Sequence, residues 1–241
     1  MSTRIDEIAD GIFRISTGVP VPAIPGGFTF NQILIRDDAP LLFHTGPHGL
    51  FDATAAAIGR VLPVTSLRFV AYSHHEADES GAMNEFLAAA PAAVPVCGRV
   101  GALVTMQDLA IRSPRALADG ETLGLGRHRV RWLDTPHVPH GWDAGLIWEE
   151  TTTTLLCGDL LTQPGSDLPP VTEGEILGPS EAMRAGMDYY SCAHKAQATL
   201  ARLANLEPTT LATMHGSAYR GDGAALLRAL GEAIAKPAAV T

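Results

Sequence analysis

The sequence predicts an α/β protein arranged as a four-layer αββα sandwich, two sheets packed face to face with helices over both outer sides. Short strand patterns dominate both halves of the chain, and each half closes with helical spacing. No linker, repeat or low-complexity stretch divides the 241 residues, so residues 1–241 read as one domain around a sizeable core.

Taken in order, residues 5–19 have the pattern of two short strands about a tight Asp10-Gly11 turn. Residues 19–27 carry three prolines and two glycines and read as a loop. Strands follow at 28–36 and 41–44, separated by Asp37-Asp38-Ala39-Pro40. Residues 49–62 place Phe51, Ala55, Ile58 and Leu62 on one helical face. A strand at 67–72, a helix at 81–90 and a short strand at 94–97 come next. Strand patterns recur near 119–126, at 129–133, 144–148 and 154–156. Two long helical patterns, 180–204 and 223–235, flank a strand at 210–213.

Lys plus Arg number 17 against 26 Asp plus Glu, a net charge of -9, and no basic cluster interrupts the chain. That balance argues against nucleic acid and anionic membranes as partners. Cys97, Cys157 and Cys192 are odd in number and far apart, which indicates neither a disulfide framework nor a cysteine-held metal. With no apolar leader and no apolar run long enough to cross a bilayer, a cytoplasmic protein is the expectation.

The chemistry concentrates at strand ends. Phe69-Val70-Ala71-Tyr72-Ser73-His74-His75-Glu76-Ala77-Asp78-Glu79 is an apolar run that ends in metal-ligating types at every second position. In an extended segment His74, Glu76 and Asp78 would share one side, and His75 would face away. A solvated charged loop is the plainer alternative. Thr135-Pro136-His137-Val138-Pro139-His140 follows the next relevant strand, and prolines restrict the backbone around both histidines. Either histidine could simply decorate a turn. In Leu156-Cys157-Gly158-Asp159-Leu160 a carboxylate sits among apolar neighbours, a setting that calls for a partner, a cation or a capping role. Leu211-Ala212-Thr213-Met214-His215-Gly216 is a further strand ending in histidine. Four such ends together are far less expected by chance than any one.

These motifs, with Asn31-Gln32-Ile33, Leu41 to Gly46 and Tyr189-Tyr190, resemble the metallo-β-lactamase superfamily over about residues 5–221. Within it they are most similar to the diiron core of flavodiiron proteins and their stand-alone oxygen-binding relatives. The resemblance implies one metal on His74, Glu76 and His137, a second on Asp78 and His215, and Asp159 bridging. Tyr189 and Tyr190 read as core packing in the 180–204 helix, with a site-facing phenol as the alternative. His140 is the competitor to His137, which is preferred because Thr135-Pro136 precedes it. Where the family has a histidine after the aspartate this chain has Glu79, a carboxylate able to ligate the second metal. His44 stands where the superfamily has a supporting aspartate; it would hydrogen-bond a ligand carboxylate or fill space.

Glu76 separates two chemistries. Zinc hydrolases of the superfamily resemble H-x-H-x-D-H, whose neutral imidazoles keep zinc Lewis-acidic. Three histidines with several carboxylates instead suit hard iron or manganese. The resemblance then implies two iron ions that bind and reduce dioxygen or nitric oxide, or a sensor of either gas. Only about 26 residues follow His215, so no flavin is expected in this chain and electrons would come from an external redox partner. The family also allows a homodimer. The rival is a hydrolase using zinc or manganese, and a third reading is a metal-poor binding module.

Overall fold

The computed structural model describes residues 2–235. Seven strands form the first sheet: β1 (Thr3–Ala9), β2 (Ile12–Val21), β3 (Ile24–Ile35), β4 (Leu41–Phe43), β5 (Phe69–Ala71), β6 (Val94–Gly98) and β7 (Arg115–Leu117), hydrogen-bonded in that order. The second comprises β8 (Thr122–Gly124), β9 (Arg129–Asp134), β10 (Gly145–Glu149), β11 (Thr154–Leu156), β12 (Val171–Thr172), β13 (Thr210–Ala212) and β14 (Ala218–Arg220), ordered β12-β14-β13-β11-β10-β9-β8. β1 to β4 pair antiparallel, whereas β4, β5, β6 and β7 run parallel, and β11 runs parallel to β13.

Three buried clusters make the four layers. Ile12, Ile33, Ile35 and Phe43 of the first sheet meet Val130, Trp132, Ile147 and Leu156 of the second, which is the seam between the sheets. The outer face of the first sheet, with Leu34, Leu42 and Val70, packs on Ile58, Met83, Phe86 and Leu87 from helices Phe51–Ile58 and Met83–Ala89. The outer face of the second, with Leu146, Trp148 and Leu155, packs on Leu200, Leu203, Leu227 and Leu230 from helices Ala193–Ala204 and Gly223–Ala235. Strands buried on both faces read as continuous apolar runs, as in Leu41-Leu42-Phe43 and Thr154-Leu155-Leu156.

Two expectations fail. Residues 19–27 are a hairpin end, not a loop: β2 reaches Val21, β3 starts at Ile24, and Val21 pairs with Ile24 across a register shift after Val19. An irregular edge pairing tolerates prolines that a central ladder would not. The helical pattern at 180–204 is two helices, Leu177–Met187 and Ala193–Ala204, because Asp188 turns left-handed at φ 48°. Tyr189 and Tyr190 lie in that break. No helix among the described residues is long and apolar enough to cross a membrane.

Candidate metal centre

The parallel strands β4 and β5 end side by side, and the segments that leave them carry most of the polar groups of the site. After β5 the chain does not stay extended: Glu76 is extended at φ -137°, and then Ala77–Ser80 closes one helical turn. The alternation expected for an extended segment therefore stops at Glu76. The turn brings Asp78 and Glu79, adjacent in sequence, to the same centre. From the second sheet, the loop after β9 supplies His140, the turn after β11 supplies Asp159, and the turn after β13 supplies His215.

Asp159 lies in the middle, one oxygen to each side. Its Oδ2 is 3.2 Å from His140 Nε2 and 3.5 Å from His74 Nε2, while its Oδ1 is 3.3 Å from His215 Nε2. On the first side Glu76 Oε1 stands 3.2 Å from His140 Nε2 and 3.7 Å from His74 Nε2. On the other, Asp78 Oδ2 is 3.3 Å from His215 Nε2. Glu79 reaches both, since its carboxylate groups with His74 and Glu76 and also with Asp78 and His215.

Six of the seven residues singled out from the sequence thus converge: His74, Glu76, Asp78, Glu79, Asp159 and His215. His137 does not join them, and His140 takes its place. The loop turns on itself between the two, with the His137 N–H donating to the Gly141 carbonyl at 2.8 Å and His137 at φ 69°. Three residues later the His140 ring enters the cluster, anchored by Nδ1 2.9 Å from the Tyr189 carbonyl. The break at Asp188 is what brings that carbonyl within reach.

Buried polar atoms without partners test whether cations fit. His74 Nε2, both Glu79 oxygens and Asp159 Oδ1 find no hydrogen-bond partner among the described residues. An unpaired buried carboxylate is costly unless a cation compensates it. Four carboxylates and three neutral imidazoles offset two divalent cations and leave no large residual charge. The donor set fits a metal pair.

Protonation follows the same logic. Burial, and then the nearby Asp159 and Asp78, raises Glu79 well above the usual carboxylate range. Burial works against a charged His140, yet the Asp159 and Glu76 carboxylates lift it to about 10, and Asp159 with Asp78 lifts His215 to about 9. Hydrogen bonds from His140 and His74 pull Glu76 down to about 2. In the metal-free protein, protons occupy the places cations would take.

His44 neither contacts a ligand carboxylate nor merely fills space. Its Nε2 is 3.0 Å from Ser73 Oγ, which lies 2.9 Å from His74 Nδ1. Burial pushes His44 down to about 3, so its ring is neutral. His215 is held from behind by its Nδ1, 2.7 Å from the Thr29 carbonyl. Asn31 Nδ2 clamps the same turn by donating to the Thr213 and Gly216 carbonyls at 3.0 and 2.9 Å. Gly216 sits at φ 100°, and a Cβ there would come within 2.6 Å of the Gln163 side chain, so only glycine fits this turn. The other histidines serve elsewhere: His75 bonds Ser80 Oγ, His48 bonds Glu85, His128 forms a buried pair with Glu149, and His194 lies beside Cys192.

A cavity of about 360 Å³ opens over the cluster. Phe28, Met183, Met187 and Tyr189 give it an apolar wall above a floor of Glu76, Asp78, His140, Asp159 and His215.

Comparison with known proteins agrees with this architecture. Among curated relatives, a diflavin flavoprotein A 1 of Thermosynechococcus vestitus is 29% identical over 209 residues, covering 82% of this chain and 35% of its own length. The chain thus spans about a third of the length of the curated relatives it matches. Among solved structures, rubredoxin oxygen:oxidoreductase from Desulfovibrio gigas superposes with a TM-score of 0.84 at 20% identity, covering 97% of this chain and 62% of that one. The flavodiiron protein from Giardia intestinalis gives 0.82 at 15% identity, covering 97% of this chain and 60% of that one. A 1–254 fragment of a diflavin flavoprotein A 5 from Nostoc is covered over 96% of its length, and 97% of this chain, at a TM-score of 0.84 and 17% identity. These likenesses establish the shared metallo-β-lactamase fold. The model of the ODP family beta lactamases matches residues 28–216, more than three quarters of the sequence, and the chain belongs to that family.

Proposed function

We propose that this protein is a non-haem diiron oxidoreductase that binds dioxygen or nitric oxide and reduces it with electrons from an external donor. The observation that carries the reading is the position of Glu76 and Glu79 inside the cluster. They turn a three-histidine site into one with four carboxylates, a donor set that suits iron better than zinc. Likeness in fold to a rubredoxin oxygen:oxidoreductase and a flavodiiron protein supports the same class.

One metal would be held by His74, Glu76 and His140 and the other by Asp78, Glu79 and His215, with Asp159 shared. When bound, the pair would supply the electrons' last stop and the binding position for the gas. The chain's own residues do the rest. Phe28, Met183 and Met187 line an apolar approach that favours a small uncharged molecule over water. Burial keeps the Tyr189 hydroxyl protonated, and that hydroxyl finds no hydrogen-bond partner among the described residues. It offers an O–H donor beside the reacting position. Asp159 and Glu76 stay ionised at neutral pH and would offset the cations' charge.

The cavity favours keeping one second reading. Its 360 Å³ would admit a substrate larger than a diatomic gas, which suits a hydrolase in which zinc or manganese activates water. Iron-loaded protein reduced without air and then exposed to oxygen separates the two. A change in the visible spectrum supports the diiron reading. An unchanged spectrum, with ester, lactone or phosphodiester hydrolysis by the zinc or manganese form, replaces it.

A further inference from the structure

The three histidines of the centre point Nε2 inward, but their outer nitrogens are held by different chemistry. His140 Nδ1 meets the Tyr189 carbonyl and His215 Nδ1 meets the Thr29 carbonyl. A carbonyl oxygen can only accept, so each of those rings carries a proton on Nδ1 whatever happens at Nε2. His74 is the exception. Its Nδ1 lies 2.9 Å from the Ser73 hydroxyl, which continues at 3.0 Å to His44 Nε2.

A hydroxyl has one proton to give. It can donate to only one of its two imidazole neighbours and must accept from the other. For His74 Nε2 to present a bare lone pair to a cation, Nδ1 must hold the ring proton and donate it to Ser73 Oγ. Ser73 then donates to His44, whose Nε2 is unprotonated. We propose that Ser73 and His44 are positioning residues that together set which nitrogen of His74 carries the proton, and thereby whether His74 can bind metal. The proposal rests on the metal-centre reading above.

Both residues are placed to act as fixed points. His44, at φ 67°, donates its backbone N–H to the Ala71 carbonyl at 2.8 Å, and its ring stacks on Phe43 with centroids 4.1 Å apart. The Ser73 carbonyl accepts from the Gly145 N–H at 2.9 Å, which ties it to the second sheet. His44 follows β4 and Ser73 follows β5, so the parallel pairing of those strands sets the spacing of the relay. All three side chains are buried, which shields the relay from bulk water.

The test compares Ser73→Ala, His44→Leu and His44→Gln with the parent protein, using zinc as a diamagnetic probe and histidine labelled with nitrogen-15. In the zinc-loaded parent, His74 should show a slowly exchanging proton on Nδ1. Ser73→Ala should lose its slow exchange, and both Ser73→Ala and His44→Leu should bind the metal beside His74 about 10- to 100-fold more weakly. His44→Gln can place an amide oxygen where the ring nitrogen was, and should keep both properties within about threefold of the parent. The proposal is overturned if Ser73→Ala retains the slow proton and the parent affinity. It is equally overturned if His44→Gln is as impaired as His44→Leu, because packing alone would then explain the effect. A parent protein that takes up no metal would sink the metal-centre reading and leave the relay measurable. In that metal-free protein the His74 ring nitrogen shifts move in Ser73→Ala if the hydrogen bond exists, and stay unchanged if it does not.

Discussion

Protons and cations compete for the same places in this centre, so pH should control metal affinity steeply. In the metal-free protein His140 is lifted to about 10 and His215 to about 9, and both therefore carry a proton at pH 7. The outer nitrogen of each ring donates to a backbone carbonyl, so the proton a metal must displace is the one on Nε2. Filling the pair releases two such protons. Below pH 9 the overall binding constant should then rise about 100-fold per pH unit, or about 10,000-fold between pH 6 and pH 8. Asp159 and Glu76 add nothing to that slope, because both are already ionised across the range. Glu79 is raised well above the usual carboxylate range by burial and by its carboxylate neighbours, and a proton displaced from it by the metal would steepen the slope further. Titration with cobalt(II) in chelator buffers at several pH values measures the slope directly. A slope of less than about one proton for the pair would refute the argument, since it would mean that the carboxylates do not hold the histidines charged.

Four substitutions probe the assignments. Glu79→Ala should lose about one metal equivalent per chain, read by elemental analysis, and unchanged content would remove Glu79 from the ligand set. His140→Ala should lose metal beside His74, whereas His137→Ala should retain the full complement, because His137 stands outside the cluster. Asn31→Ala removes two buried hydrogen bonds that clamp the turn carrying His215, and should cost about 1–3 kcal/mol of stability in denaturant titration. A melt indistinguishable from the parent would show that the turn holds itself.

Much of the centre was legible because its residues stand where apolar strands stop. His74, Asp159 and His215 each follow a short run that could only be buried, and a polar group at such a point is displayed at the sheet's edge. His137 and His140 illustrate the limit. Both sit in one proline-flanked loop, and which one faces inward depends on the Gly141 carbonyl and on the Tyr189 carbonyl from a distant helix break. That break was hidden for a local reason: Asp188 interrupts a continuous helical pattern by a single left-handed residue. The role of His44 depended on Ser73, an unremarked hydroxyl whose importance comes only from lying between two rings. The hairpin at 19–27 was obscured by its prolines, which signal a loop when read alone but fit an irregular pairing at a hairpin end.

The diiron proposal places two irons in this centre, with Glu76 and Glu79 among their ligands. Metal identity and stoichiometry, measured on protein purified without added metal, test it most directly. About two irons per chain are expected. A single zinc held by His74, His140 and His215, its content unaffected by Glu76→Ala, would contradict it.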